Sequence, residues 1–155
     1  MNKTILALGI TGVLIYSIPV MSAKAFTYEN ATVCNSEIQL YTEGLIYQYF
    51  ISASSSNNKL VINGYTRSNE SMKSIGIKDI VIQYSSDNKN WSKEKSLNDM
   101  LSSDSVNYHL NDYSVSVKGG YYYRISCTHY AKEKGLFGSS QSVENTSNSI
   151  WIDNN

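Results

Sequence analysis

Residues 119–135 read GGYYYRISCTHYAKEKG, and they hold three consecutive tyrosines, one of two cysteines and one of two histidines in the chain. On a β-strand, side chains alternate between faces, so Tyr121, Tyr123, Ile125, Cys127 and His129 share one face and Tyr122, Arg124, Ser126, Thr128 and Tyr130 the other. The first set is the more apolar and is expected to face a core. Gly119-Gly120 supplies the turn into this strand and AKEKG the turn out.

The same period of two recurs on both sides. Tyr47, Tyr49, Ile51 and Ala53 alternate in IYQYFISA, SSSNN marks a loop, and Leu60, Ile62, Gly64 and Thr66 alternate in KLVINGYTR. This predicts a hairpin, with Asn63-Gly64 inside its second strand as a bulge instead of forming a turn of its own. KDIVIQYSS has the near-continuous apolar run of a central strand, with Ile80, Ile82 and Tyr84 on one face. The polar stretch 91–104 is expected to hold a short helical turn around Leu97 to Leu101. SVNYHL and YSVSV suggest one or two further strands, and SNSIWI a last one. About seven short strands separated by Ser, Asn, Asp and Gly predict an all-β, two-sheet sandwich over residues 26–155.

IVIQYSSDNKNW, then VKGGYYYRISCTHYAKEKG and the final strand, resembles the C, F and G strands of fibronectin type III and immunoglobulin-like sandwiches. In that resemblance Tyr123 takes the place of the corner tyrosine, and Ile125 and Cys127 the next inward positions. Two features depart from immunoglobulin domains: Trp91 follows the C strand instead of lying within it, and the presumed B strand has no cysteine. An apolar leader, a tyrosine-rich β domain and a TSNSIWI terminus are also similar to small secreted proteins of Gram-positive bacteria without assigned function, which implies a location and no chemistry.

The leader has three parts: Lys3, an uncharged and mainly apolar run of 14 residues from Ile5 to Ile18, and Ala23-Lys24-Ala25. Such a run is short against the roughly 20 residues that span a bilayer, and small residues at −3 and −1 suit cleavage after Ala25. Residues 1–25 are therefore expected to be a signal peptide, and the product to be secreted and extracellular. Of 13 basic and 13 acidic residues, removal of Lys3 and Lys24 leaves 11 against 13, without any basic run. Nucleic acid and anionic membrane surfaces both require clustered positive charge, so neither is an expected partner.

Cys34 and Cys127 are the only cysteines, and export favours a disulfide between them. Two buried free thiols, or an intermolecular bond, are the alternatives. Cys34, His109, Cys127 and His129 are the only soft metal ligands, and no close-spaced ligand pair accompanies them, so no metal or other cofactor is expected. No nucleophile motif surrounds either histidine, and Lys89 occupies a ligand position of a would-be calcium loop in SDNKN. The chain is thus expected to be non-catalytic and monomeric. Tyr122, Tyr130 and Trp151 are the candidate binding surface, because Ile150 and Ile152 claim the inward positions of the last strand. The expected ligand is an extracellular protein or a cell-wall polysaccharide. A secreted toxin or antimicrobial, and a small hydrolase, are the competing functions.

Overall fold

The structure is a computed structural model, and it describes residues 39–40 and 44–154. The proposed leader and Cys34 lie outside them. Among the described residues ten strands follow one another: β1 (Gln39–Leu40), β2 (Ile46–Ser56), β3 (Lys59–Met72), β4 (Ser74–Ser85), β5 (Ser92–Ser96), β6 (Met100–Ser102), β7 (Ser105–Val115), β8 (Tyr121–Lys132), β9 (Ser140–Thr146) and β10 (Ile150–Ile152). One antiparallel sheet has the order β1-β2-β3-β7. The other runs β10-β8-β4-β5, with β6 also on β4 and β9 also on β8. The two sheets pack face to face as a β-sandwich, in which β8 lies between β4 on one side and β9 and β10 on the other.

Alternation builds the core. Ile51, Ala53, Leu60 and Ile62 from one sheet meet Ile77, Ile80, Ile82, Tyr123, Ile125 and Ile152 from the other. The β2–β3 hairpin closes through Asn57 and Asn58 at φ of 50° and 55°, between the paired Ser56 and Lys59. Two consecutive left-handed residues form the turn whose twist matches the strands. The β3–β7 register shifts between Ile62 and Gly64, but the extra residue is on β7: Asn111 and Asp112, the latter at φ 50°, lie opposite Asn63. Asn63 itself pairs regularly with Ser52, so the bulge expected at Asn63-Gly64 falls on the neighbouring strand instead.

Bulges also account for the departures from simple alternation. Ile46, not Tyr47, is buried, because the β2–β3 register slips between Ile46 and Gln48. On β4, Asp79 at φ 50° sits inside a register shift between Lys78 and Val81. The extra residue resets the alternation, so Ile75 and Ile77 before it and Ile80 and Ile82 after it are all buried. The expected helical turn near Leu97 is absent: Leu97 N–H donates to Ile80 O at 2.9 Å, and Met100–Ser102 pairs with Ile75–Ile77 as a strand. Both short pieces lie along the edge of β4, whose backbone groups offer them more hydrogen bonds than an isolated helical turn could make.

At the other end, Gly120 has φ 82° and donates its N–H to Ile152 O at 2.8 Å. A side chain on Gly119 would collide with the backbone of Asp153 and Asn154. The glycine pair therefore lets the entry to β8 lie directly against the chain after β10.

Candidate functional site

Burial along β8 alternates from Tyr122 to Lys132, with Tyr123, Ile125, Cys127, His129 and Ala131 inside. The pairing of Trp151 with Tyr122 and of Ile152 with Tyr121 then fixes Trp151 on the outer face. The two rings meet edge to face, with centroids 4.9 Å apart and planes at 64°. Trp151 is 40% exposed, and its indole N–H donates to Asp153 Oδ1 at 3.0 Å.

Two residues farther along β8, Arg124 continues this surface toward β4. Its Nε donates to Gln83 Oε1 at 2.7 Å, and its guanidinium lies 4.2 Å from the ring centroid of Trp91. Trp91 is held there by the turn before it. The Asp87 carboxylate accepts from the backbone N–H groups of Lys89 and Asn90, from Asn90 Nδ2 and from Ser85 Oγ. Led by the Asn90 amide, these donors hold its carboxyl well below the usual carboxylate range. SDNKN is thus a turn closed by its own aspartate.

Trp151, Tyr122, Arg124, Gln83 and Trp91 are therefore brought together on one outer face. Tyr130 shares the face but not the cluster. It is eight positions along β8 from Tyr122, about 26 Å at the usual strand rise, with the Lys78 ammonium 4.8 Å from its ring centroid. Sequence reasoning missed Trp91, Gln83 and Arg124 as members. For Arg124 the signal was present, since it shares the parity of Tyr122.

The opposite sheet carries a second aromatic row on its outer face. Phe50, Tyr65 and His109 are cross-strand neighbours on β2, β3 and β7, with ring centroids 5.4 and 5.8 Å apart. Arg67 lies 4.5 Å over Tyr65 and donates to Gln48 Oε1 at 2.9 Å. Tyr65 already has one face covered.

Inside, His129 joins the two sheets. Thr66 Oγ1 donates to Gly76 O at 2.9 Å and lies 2.8 Å from His129 Nδ1. A hydroxyl has one proton, and it goes to Gly76, so Nδ1–H must be the donor to Thr66. Nε2 is then the acceptor, facing Asn145 Nδ2 at 3.5 Å and Cys127 Sγ at 3.9 Å. Burial brings this imidazole down to about 4 and pushes the Cys127 thiol up to about 12. Both are uncharged at neutral pH. A neutral thiol against a neutral imidazole lacks the thiolate that nucleophilic or metal chemistry uses.

Cys127 is a free, buried thiol here, and its expected disulfide partner Cys34 lies outside the described residues. His109 is exposed on the outer face of the other sheet, so it cannot share a metal with His129. Among the described residues, no group of three or more His, Cys, Asp or Glu could hold a metal ion. Nor, among them, is any helix long and apolar enough to cross a membrane. In comparison with known proteins, no family model, no curated protein and no solved structure matches the chain.

Proposed function

We propose that this chain is an exported, non-catalytic recognition domain that binds a cell-wall polysaccharide or an extracellular protein through the outer face of β4, β8 and β10. The observation that carries the reading is the contact between Trp151 and Tyr122, continued by Arg124 on Trp91. Aromatic rings held by strands present large contact area with little conformational freedom left to lose. Gln83, Arg124 and Asp153 supply donors and acceptors around them, as either ligand would require. The tripartite sequence of residues 1–25 supports export. Under oxidising conditions after export, pairing of Cys127 with Cys34 is part of the same proposal.

Protein recovered from culture medium is expected to begin at Phe26 by intact mass and to carry no alkylatable thiol. On isolated cell-wall polysaccharide or surface-protein fractions, Trp151→Ala and Tyr122→Ala are each expected to weaken retention at least about tenfold. Tyr130→Ala should leave it unchanged. Retention that ignores Trp151 and Tyr122 would remove this face from consideration, and full-length protein confined to membranes would remove export.

A further inference from the structure

The strand register sets two rows side by side on the outer face of β4, β5, β8 and β10. Tyr122 pairs with Trp151 on one side and with Ser85 on the other, and Ser92 pairs with Tyr84, which brings Trp91 level with Tyr122. In the next row Arg124 pairs with Gln83, and Gln83 pairs with Lys93. Residues paired across antiparallel strands put their side chains on the same face. Arg124 and Lys93 therefore flank Gln83, with α-carbons two strand spacings apart, about 10 Å, and Arg124 is two positions, about 7 Å, along β8 from Tyr122.

Both cations of the second row lack a carboxylate. Among the described residues the ion pairs are Lys78 with Asp99 and Lys134 with Asp104, and neither includes Arg124 or Lys93. The half-buried Arg124 is held through Nε by Gln83 and against the Trp91 ring, while Nη1 and Nη2 have no hydrogen bond to a described residue. The acids nearby are engaged elsewhere. Asp87 takes four donors within its own turn, Asp153 accepts the Trp151 indole N–H, and Glu94, the extra residue where the β4–β5 register shifts, acts on the buried Tyr123 phenol. A guanidinium braced on an aromatic ring with its terminal fork free is suited to a planar oxyanion, which it meets with two parallel N–H bonds.

Resting on the reading of this face as a recognition surface, we infer that its ligand is an acidic polysaccharide, whose sugar rings lie on Trp151 and Tyr122 and whose carboxylates pair with Arg124 and Lys93. The rows cross four strands, about 14 Å, which gives an extended polymer room to place successive units. A carboxylate on the sugar ring fits better than a phosphodiester. It is planar like the guanidinium, and it sets the charge beside the ring instead of in the linkage between rings. An acidic protein segment fits less well, because its carboxylates would reach Arg124 and Lys93 while the exposed Trp151 ring received no flat apolar partner.

Calorimetric titration of the purified protein with hyaluronate, alginate and polygalacturonate, each beside its carboxyl-reduced counterpart, tests the inference. At least one acidic polymer is expected to bind, and its reduced form at least about tenfold more weakly. Arg124→Gln should weaken the acidic polymer about 10- to 100-fold, bringing it close to the reduced form, and Arg124→Lys should recover only part of that loss because an ammonium has no fork. Lys93→Gln should cost less, about threefold, and since Lys93 is exposed on an edge strand its variant reports on charge with the fold undisturbed. Equal binding of acidic and reduced forms overturns the inference, as does binding that Trp151→Ala abolishes and Arg124→Gln leaves intact; in both cases the aromatic face still stands as a recognition surface. Tighter binding of poly(glycerol phosphate), or equal binding of polyglutamate, overturns it by assigning the charge to phosphate or to protein. Failure of every acidic polysaccharide to bind overturns it as well, whereas the reading of the face itself falls only if Trp151→Ala also leaves retention on wall and surface-protein fractions unchanged.

Discussion

The hydroxyl of Tyr123 donates a 2.7 Å hydrogen bond to the backbone carbonyl of Lys118, five residues upstream. The ring is 1% exposed, at the start of β8 where the chain crosses between sheets. This is the geometry of a tyrosine corner: the side chain ties the incoming connection to the strand that follows. Tyr123→Phe keeps the ring and orphans the carbonyl, so it should cost on the order of 1 to 3 kcal/mol in urea melts. Tyr123→Ala also loses the packed ring and should cost on the order of 3 to 5 kcal/mol. A Tyr123→Phe variant as stable as the wild type would show that the hydrogen bond contributes nothing.

The same residue sets an alkaline limit. Burial, reinforced by Glu94, pushes the Tyr123 phenol from 10.0 up to about 12. In the unfolded chain it ionises near 10, while the folded state keeps its proton. Its contribution is therefore complete below pH 10 and is lost as pH rises through about 12. Denaturant midpoints between pH 9 and 12 should fall less steeply in Tyr123→Phe than in the wild type. Parallel curves would mean that the phenol is not shielded as described.

His129 gives the acid counterpart. Its imidazole goes from 6.5 down to about 4 by burial, and with Nδ1–H given to Thr66 the folded state holds it neutral. The unfolded chain takes up a proton below pH 6.5 that the folded state refuses. Stability is thus complete above pH 6.5 and declines as pH falls toward 4, by a total on the order of 3 kcal/mol. An imidazole titration followed by NMR should place His129 below pH 5, and His129→Gln should flatten the stability profile between pH 4 and 6.5. A His129 that titrates near its ordinary value would refute the buried bridge.

Period two in residues 119–135 was enough to assign Tyr123, Ile125, Cys127 and His129 inward, because β8 itself runs without an inserted residue and pairs on both sides. Ala131, read as part of the turn out, is buried as well because the strand continues to Lys132. Elsewhere, legibility ended where one residue was inserted. Nothing in KDIVIQYSS announces that Asp79 adopts a left-handed conformation and turns both isoleucine pairs inward. That depends on pairing with β8, which is far away in sequence. Trp91 was invisible as a neighbour of Arg124 for a similar reason, since its place is set by four hydrogen bonds to Asp87. Tyr130 was grouped with Tyr122 by parity alone, and parity carries no information about distance along a strand.

Tyr122 and Trp151 should be energetically coupled, and Tyr122 and Tyr130 should not. The first pair is in contact at 4.9 Å, edge to face, on a surface where Tyr122 is half-buried and Trp151 is 40% exposed. Aromatic pairs of this kind contribute about 0.5 to 1.5 kcal/mol beyond the area they bury. Tyr122→Ala alone should therefore cost about 1 kcal/mol, well below Tyr123→Ala, because its other face is already in water. Combined with Trp151→Ala, the double variant should cost less than the sum of the two single variants by about 0.5 to 1.5 kcal/mol. Combined with Tyr130→Ala, the costs should add within about 0.5 kcal/mol, since the rings share no partner. Urea melts of the four single and double combinations in each cycle measure both couplings. Additivity in the first cycle would mean that the two rings do not form a joined surface, and the binding face would then have to rest on Trp91 and Arg124 alone.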